Sequence, residues 1–570
     1  ACLAGVGLDP GLGFTDFADV CAITQLVVNT VERRAQDHVP TVEEIQDIVE
    51  MMIAARGHWD IAKRYVLYRA ARAQHRINVH AENGLQDYIF LSRYSRYRED
   101  LGRRETPSEA FTRVMDMHRD HFADRVDLPV TGFGNRTLRS LMAETEAALQ
   151  RRAILPSMRS LQFGGRAIEA NNARMFNCAF THMDRLDAFK ESFFLLMSGT
   201  GVGFSVQKQH VAQLPTFPLR AAENELPVVH YLVPDTLEGW ADALDALIRS
   251  YVDGTKVEFN FSAVRSRGQQ LRTSGGRAPG HLPLKKALLA AERMLDQVPG
   301  RALRPIEVYD IMMHVAVAVL SGGIRRSATI CLFSSDDDEM AAAKTGNWFE
   351  TNSQRGKSNN SAVLVRETVQ PSDFSKLFEF QKEFGEPGFY FVDDAEYGAN
   401  PCVEIGLAPY MIVDEVAQAK LAKYGRPDVA IGSRVSGWQM CNLTTINAGA
   451  CDTEESFLAC CRAASLLGTM QAAYTNIPYL GAATRVINER ESLLGVSICG
   501  ILDRPSLLLN PSVLERGAKE CLDTNAAIAE HLGIEPAARI TCVKPEGTAS
   551  LVLGAGSGIH PHHARHYFRR

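Results

Sequence analysis

The stretch Gly398-Ala399-Asn400-Pro401-Cys402-Val403-Glu404-Ile405 sets a thiol directly behind a proline. Pro401 fixes its own φ and keeps Asn400 out of the helical region, so the backbone entering Cys402 extends or turns. In an extended segment, residues two apart project to one side. Asn400, Cys402 and Glu404 would then present amide, thiol and carboxylate together. Such a trio can hold a hydroxylated substrate, remove a hydrogen atom and accept a proton. A buried cysteine in an ordinary turn suits the same residues.

Around this stretch, from Ile154 onward, short β-rich runs alternate with helical ones. Strands are expected at Gly203 to Gln207, Ala328 to Phe333, Ser361 to Arg366, Gly388 to Val392, Gly495 to Cys499, Ile540 to Val543 and Ala549 to Leu553. A helix is expected from Leu237 to Val252, with Trp240, Leu244, Leu247, Ile248 and Tyr251 on one face. This alternation argues for an α/β body with a buried sheet or barrel. The stretches 266–280 and 352–360 read as loops.

The front of the chain is helical. Thr41-Val42-Glu43-Glu44 has capping-box spacing, and Ile45, Ile48, Val49, Met52 and Ile53 follow at helical intervals, with a stop at Arg56-Gly57. A second helix is expected from Ala62 to Arg76. The region from about 81 to 152 is charged and mostly helical, with Phe111, Val114, Met115 and Met117 on candidate helices.

Composition narrows the class. The chain has 570 residues, 46% hydrophobic and 22% charged, which excludes a mainly disordered, collagen-like or coiled-coil protein. A net charge of −6 does not suit a nucleic-acid backbone. No apolar run is long enough for a membrane span, and residues 1–20 do not read as a secretory leader. The chain lacks an initial Met and reads as clipped at both ends. Twelve cysteines without a Cys-x-x-Cys pair support neither a disulfide scaffold nor a zinc ribbon, so no metal site is expected. Most read as buried residues of a reducing, cytoplasmic protein. His560, His562, His563 and His566 read mainly as surface residues.

Two further cysteines stand beside asparagines, in Phe176-Asn177-Cys178-Ala179-Phe180 and Trp438-Gln439-Met440-Cys441-Asn442. They can be two core cysteines, or a pair meeting across a barrel and cycling between dithiol and disulfide. Pro545-Glu546-Gly547-Thr548-Ala549-Ser550 is rich in donors and can cradle a phosphate if a helix start lies nearby, or be a plain turn. Ser157-Met158-Arg159 and the loop Gly199 to Gly203 are similar. Ser321-Gly322-Gly323-Ile324-Arg325-Arg326-Ser327 is a basic loop before a strand, fit for a phosphate or base, or simply solvated.

Taken together, Asn-Pro-Cys-x-Glu, Asn-Cys-Ala-Phe, Cys-Asn-Leu-Thr-Thr-Ile-Asn, Gly-Gly-Ile-Arg-Arg-Ser-Ala and Pro-Glu-Gly-Thr-x-Ser resemble the motifs of ribonucleotide reductase catalytic chains. The likeness is greatest to the adenosylcobalamin-dependent (class II) enzymes. Asp235 to Trp240, Asn347 to Phe349 and Arg355 to Ala362 fit that family too. The resemblance covers about 155 to 570, and the front resembles the second half of an ATP-cone, a nucleotide-binding regulatory module. It implies an α/β fold, a ten-stranded barrel with a central finger loop. The implied domains are a partial cone over 1–78, a helical region over 79–153 and the barrel over 154–570, its last part truncated.

By the same resemblance, Cys402 carries a thiyl radical in a barrel interior shielded from solvent and abstracts the ribose 3′ hydrogen. Glu404 is the base on the 3′ hydroxyl, Asn400 binds substrate hydroxyls, and Cys178 and Cys441 supply two electrons. Pro545, Gly547, Thr548 and Ser550, with Ser157 and Gly201, bind substrate. Asp235 and the loop with Gly322, Gly323, Arg325 and Arg326 serve deoxynucleotide or ATP effectors. A thioredoxin- or glutaredoxin-type reductant is implied, with a monomeric or homodimeric enzyme and no nucleic-acid or membrane partner. The 38 residues between Cys402 and Cys441 exceed what many members carry, and this insertion (Pro409 to Ser436, helical over Val413 to Tyr424) is expected to loop away from the site. Rival readings are a class I large subunit served by a separate metal-radical subunit, and a nucleotide-sensing regulatory protein.

Overall fold

The computed structural model describes residues 17–34, 40, 42–67, 84–271, 277–320 and 328–564. The chain divides into two compact units, 1–88 and 89–570. In the first, α1 (Phe17–Arg34) and α2 (Val42–Ala55) are followed by a helical turn over 59–67. The expected face of α2 is the packed one. Ile53 joins Ile23, Ile61 and Ala62 in a small core, with Val49 and Met52 against it. Gly57, at φ +80°, ends the segment as expected. The rest of the helix expected to Arg76 lies outside the described residues.

The second unit is organised by one curled sheet. Its strands are β1 (Ile154–Leu155), β2 (Cys178–His182), β3 (Gly201–Ser205), β4 (Thr329–Ser334), β5 (Ser358–Val365), β6 (Gly388–Val392), β7 (Gln439–Asn447) and β8 (Leu494–Cys499). The order is β6-β5-β4-β3-β2-β7-β8, with β1 also pairing β7. Strands β2 to β6 form a parallel run, β7 joins it antiparallel through β2, and β8 runs parallel to β7.

The two faces of this sheet bury different residues. Ala179, Cys331, Phe333, Ala362, Leu364 and Met440 face an outer core. That core includes α3 (Asp187–Ser198), α4 (Leu237–Asp253), α5 (Leu282–Leu295) and α6 (Pro305–Leu320). Beyond β7 and β8 the outer core is completed by α7 (Glu454–Ala472) and α9 (Pro511–Leu532). The alternate residues Cys178, Phe180, Ile330, Leu332, Val363, Cys441 and Leu443 form a separate inner cluster. Period-two geometry thus turns both thiols inward.

The finger is a hairpin of two two-residue strands, Gly398–Ala399 and Gly406–Leu407, paired antiparallel. It lies on the inner face of β2 and β3. A Cβ placed on Gly398 would fall 1.9 Å from Cζ of the Phe180 ring, and one on Gly203 would fall 2.4 Å from the Ala399 carbonyl oxygen. Gly398→Ala is therefore expected to destabilise the fold by about 1–3 kcal/mol through overpacking. A lower thermal midpoint checks this; an unchanged midpoint contradicts the seating of the finger on Phe180.

The inserted segment folds as a hairpin (Tyr410–Ile412 with Arg434–Ser436) around the helix Glu415–Lys423. Met411, Val413 and Leu421 pack on Val486 and Ile487 of α8 (Gly481–Glu491), away from the inner thiols as expected.

Several expectations need correction. Eight strands are joined in the sheet among the described residues, against ten expected. Ile540 to Val543 contributes a single bridge, Thr541 to Val496. Ala549–Leu553 is a helix, because Ser550 N donates to Glu546 O at 3.0 Å and Val552 N to Thr548 O at 3.2 Å. Strands β2 and β7 were not expected. All nine residues of β7 are buried, including Gln439, Asn442 and the threonines, so its sequence carries no polar–apolar alternation.

Candidate active site

The antiparallel register of β2 and β7 sets Cys178 directly opposite Cys441, both buried. The finger brings the third sulfur. A Cβ on Gly201 would lie 3.3 Å from Cys178 Sγ and 3.4 Å from Pro401 Cγ, so the glycine sits tightly between this thiol and the finger tip. The Cys402 thiol lies near enough to that of Cys178 for the two to influence one another. The Cys178 contact, then burial, push Cys402 above the usual thiol range. Cys178 is lowered by its contact with Cys402, but Cys441 and burial outweigh that and hold it high. Cys178 and Cys402 are therefore thiols, not thiolates, at neutral pH.

Cys402 is exposed, where shielding in a dry interior was expected. It sits at the tip of the finger, exposed, with its sulfur near that of Cys178. The extended geometry expected for the tip is also absent. Val403 has φ +62° and its N–H donates to Asn400 O at 2.8 Å, closing a turn. Asn400 Oδ1 accepts from Ile405 N at 3.2 Å, which locks the tip across its base. Asn400 is fully buried and its Nδ2 has no partner. Both Glu404 carboxylate oxygens are likewise buried and unpartnered. A donor and an acceptor held without partners beside a reactive thiol are what a polar ligand would satisfy.

The donor-rich loop leads into a short helix where a strand was expected. Pro545 to Thr548 leads into Ala549–Leu553, with Pro545 and Gly547 exposed, Thr548 partly so and Ser550 buried. Ser157 does not present an open hydroxyl. Its Oγ caps the helix Met158–Phe163 by accepting from Arg159 N and Ser160 N, and is 2.6 Å from Asn177 Oδ1. Gly201 N donates to Asn177 O at 2.8 Å, so Ser157 holds the Asn177 side chain and Gly201 its backbone.

Of the effector candidates, Asp235 lies among the described residues. Asp235 stands ahead of α4 and accepts from Arg265 Nε at 2.7 Å. Gly322, Gly323, Arg325 and Arg326 lie outside the described residues, as does His566. His560, His562 and His563 are exposed.

Sequence reasoning missed several groups. Lys544, Cys542 and Arg159 interact electrostatically with the thiols or with Glu404, and Glu546 with Lys544. The signal for Glu546 was its place in the donor-rich loop; nothing local pointed to Lys544. A second cluster was also missed. His182 and His210 stack at 3.7 Å, with His210 Nε2 3.1 Å from Glu396 Oε1. Among the described residues it is the one group of metal-ligating type, yet Arg434 already contacts both Glu396 and His182 there. The guanidinium fills the place a cation would take.

Comparison with known proteins agrees with this architecture. Residues 16–74 match the ATP cone domain. The chain is 25% identical over 546 residues to the adenosylcobalamin-dependent ribonucleoside-triphosphate reductase of Euglena gracilis, covering 89% of this chain and 69% of the relative. It is 26% identical over 459 residues to the protein of that name from Lactobacillus leichmannii, covering 66% of this chain and 57% of the relative. The crystal structure of a B-12-dependent (class II) ribonucleotide reductase superposes with a TM-score of 0.65 at 23% identity, over 83% of this chain and 74% of that one. The likeness extends to the curled sheet, so the fold is of that kind.

Proposed function

We infer that this chain is the catalytic chain of an adenosylcobalamin-dependent ribonucleotide reductase, which turns ribonucleotides into 2′-deoxyribonucleotides for DNA synthesis. The observation that carries the reading is the meeting of three sulfurs, two buried and in register, one accessible on a finger tip beside an unpartnered amide and an unpartnered carboxylate. The relatives' names support the triphosphate as substrate.

The residues suit the cofactor. A thiol exposed at the tip can be reached by the nucleoside arm of a bulky corrinoid, which a sealed interior would forbid. When bound, adenosylcobalamin supplies one-electron chemistry through homolysis of its cobalt–carbon bond. Cys402, at the tip, is the residue placed to give up a hydrogen atom. The Cys402 thiyl then takes the hydrogen from the ribose 3′ carbon. Glu404 accepts the proton of the 3′ hydroxyl, and Asn400 Nδ2 donates to a substrate hydroxyl. The 2′ hydroxyl leaves as water, protonated by the buried pair. Cys178 and Cys441 lose two hydrogens in all, one to the departing water and one to the 2′ carbon, and close to a disulfide, and Glu404 returns its proton to the 3′ oxygen. Cys402 returns its hydrogen to the 3′ carbon. One ribonucleotide and one dithiol give one deoxyribonucleotide, one disulfide and water. A bound substrate covers the open side of Cys402 and provides the shielding that the free fold lacks.

The loop over 545–550 takes the substrate phosphates on backbone N–H groups at a helix start. The cone takes ATP or a deoxynucleotide as effector, and a thioredoxin- or glutaredoxin-type dithiol reopens the disulfide, in a cytoplasmic monomer or homodimer. No described helix is long and apolar enough to cross a membrane. The test is an assay of the chain with ribonucleoside triphosphate and a dithiol. Deoxynucleotide formation is expected only with added adenosylcobalamin and without a second subunit. Activity that instead requires a metal-radical subunit moves the assignment to class I.

A further inference from the structure

The finger is gripped at its root by side chains that the proposed reaction does not use. Glu396 stands two residues before Gly398, where the entering leg seats on Phe180. Its backbone oxygen accepts from His182 Nε2 at 3.0 Å, and its Oε1 accepts from His210 Nε2 at 3.1 Å. His182 closes β2 and His210 follows β3. Both rings are fully buried and stack at 3.7 Å. The carbonyl of Ala395 accepts from Gln207 Nε2 at 2.8 Å. The two strands on which the finger lies thus also hold the start of its entering leg.

The inserted segment closes this grip. Arg434, on the second strand of its hairpin, passes over Tyr410, its guanidinium 4.6 Å from the ring centroid. Its Nη2 donates to His182 Nδ1 at 3.2 Å and to Glu396 Oε2, and its Nη1 lies 3.8 Å from Asp184 Oδ2. The partners fix the tautomer. A carbonyl only accepts, so His182 Nε2 carries the proton and Nδ1 is left to accept. Burial, then His210, hold His182 well below the ordinary histidine range, so the ring stays neutral. The hydrogen bond from His210 holds the Glu396 carboxyl down to about 2, so it is ionised. A lone surface ion pair would fix little, but a network of charges around one planar guanidinium fixes geometry. Without Arg434, a fully buried ring nitrogen loses its donor and Glu396 loses its cation.

We propose that Arg434, carried by the inserted segment, is a positioning residue that locks Glu396 at the root of the finger and so holds the Cys402 thiol beside Cys178; this rests on the reaction proposed above. The turn at the tip is closed by contacts within the finger, from Ile405 N to Asn400 Oδ1 and from Val403 N to Asn400 O. Where the tip sits in the barrel is therefore set by its legs. Glu396 is six residues from Cys402, about 20 Å of extended chain. The insertion stays clear of the thiols and acts on them from the far end of that leg.

The experiment compares wild type with Arg434→Met, Glu396→Met and the double variant; Arg434→Gln repeats it should the Met variant fail to fold. Alkylation of Cys402 by iodoacetamide is timed without substrate and read by mass spectrometry on the peptide that carries it. In Arg434→Met the rate is expected to rise by about fivefold or more, as the loosened tip leaves Cys178. With cofactor, nucleotide and a dithiol, kcat falls by about 10- to 100-fold while KM stays within about twofold. The double variant is no worse than Glu396→Met, because both changes act through one contact. Arg426→Met, which breaks the exposed pair with Asp428 in the same inserted segment, leaves these readouts unmoved. An unmoved alkylation rate in Arg434→Met overturns the proposal. So does an equal effect of Arg426→Met, a sum of both losses in the double variant, or a raised KM with unmoved kcat. The alkylation arm needs no turnover. Faster alkylation in Arg434→Met, with a wild type that reduces no nucleotide, would sink the proposed reaction and not the role of Arg434.

Discussion

Cys402→Ser is expected to lower deoxyribonucleotide formation by about 10³-fold or more while nucleotide binding is unchanged. The serine O–H bond is too strong to exchange a hydrogen atom with the ribose 3′ carbon as a thiol does. The substitution is also structurally mild. Cys402 is exposed, and the tip is locked by Asn400 and Val403 backbone contacts that the sulfur does not enter. Surface changes of this kind alter stability by about 0.5 kcal/mol or less. Lost turnover with an unchanged thermal midpoint therefore reports chemistry. Turnover retained within tenfold, about 1.4 kcal/mol of barrier, would refute the radical role.

The second large effect is expected at the buried pair. Cys178→Ala or Cys441→Ala should reduce steady-state turnover with a dithiol by about 10²-fold or more, since neither remaining sulfur can close the disulfide. The readout that separates this from misfolding is a thiol count. Wild type, given substrate and cofactor but no reductant, should lose two titratable thiols for each product formed. The variants should lose none. The register pairing of Cys178 with Cys441 makes the assignment of this pair specific, because other close sulfurs exist. Cys451 and Cys460 lie 3.8 Å apart. Thiol loss that persists in Cys441→Ala would point to that pair instead.

The fold was legible in the sequence where burial is one-sided or length is decisive. The helix α4 and the strand Gly388–Val392 follow directly from periodicity and β-branched or aromatic content. Strand β7 was not legible, because it is buried on both faces and carries Gln439, Asn442, Thr444 and Thr445 in its interior. Those side chains are used by distant partners: Asn442 Nδ2 donates to Leu493 O, and Thr445 to Glu546. No local pattern encodes such pairings.

The candidate site was legible as residue types and not as geometry. Asn400, Cys402 and Glu404 do converge, but through a turn closed at Val403 and not along an extended strand. The opening of Cys402 to solvent was invisible in the sequence, because it depends on how far the finger reaches past β2 and β3. Ser157 was read as a ligand on its hydroxyl, which the fold uses to cap a helix and hold Asn177. Lys544 was missed because Glu404 and the thiols that act on its charge are distant in sequence.

The most direct measurement of the central claim is electron paramagnetic resonance on the protein frozen during turnover with adenosylcobalamin and nucleotide. A sulfur-centred radical is predicted whose hyperfine pattern changes when cysteine is deuterated at its β carbon, and which is absent in Cys402→Ser. The same signal surviving in Cys402→Ser would contradict the account.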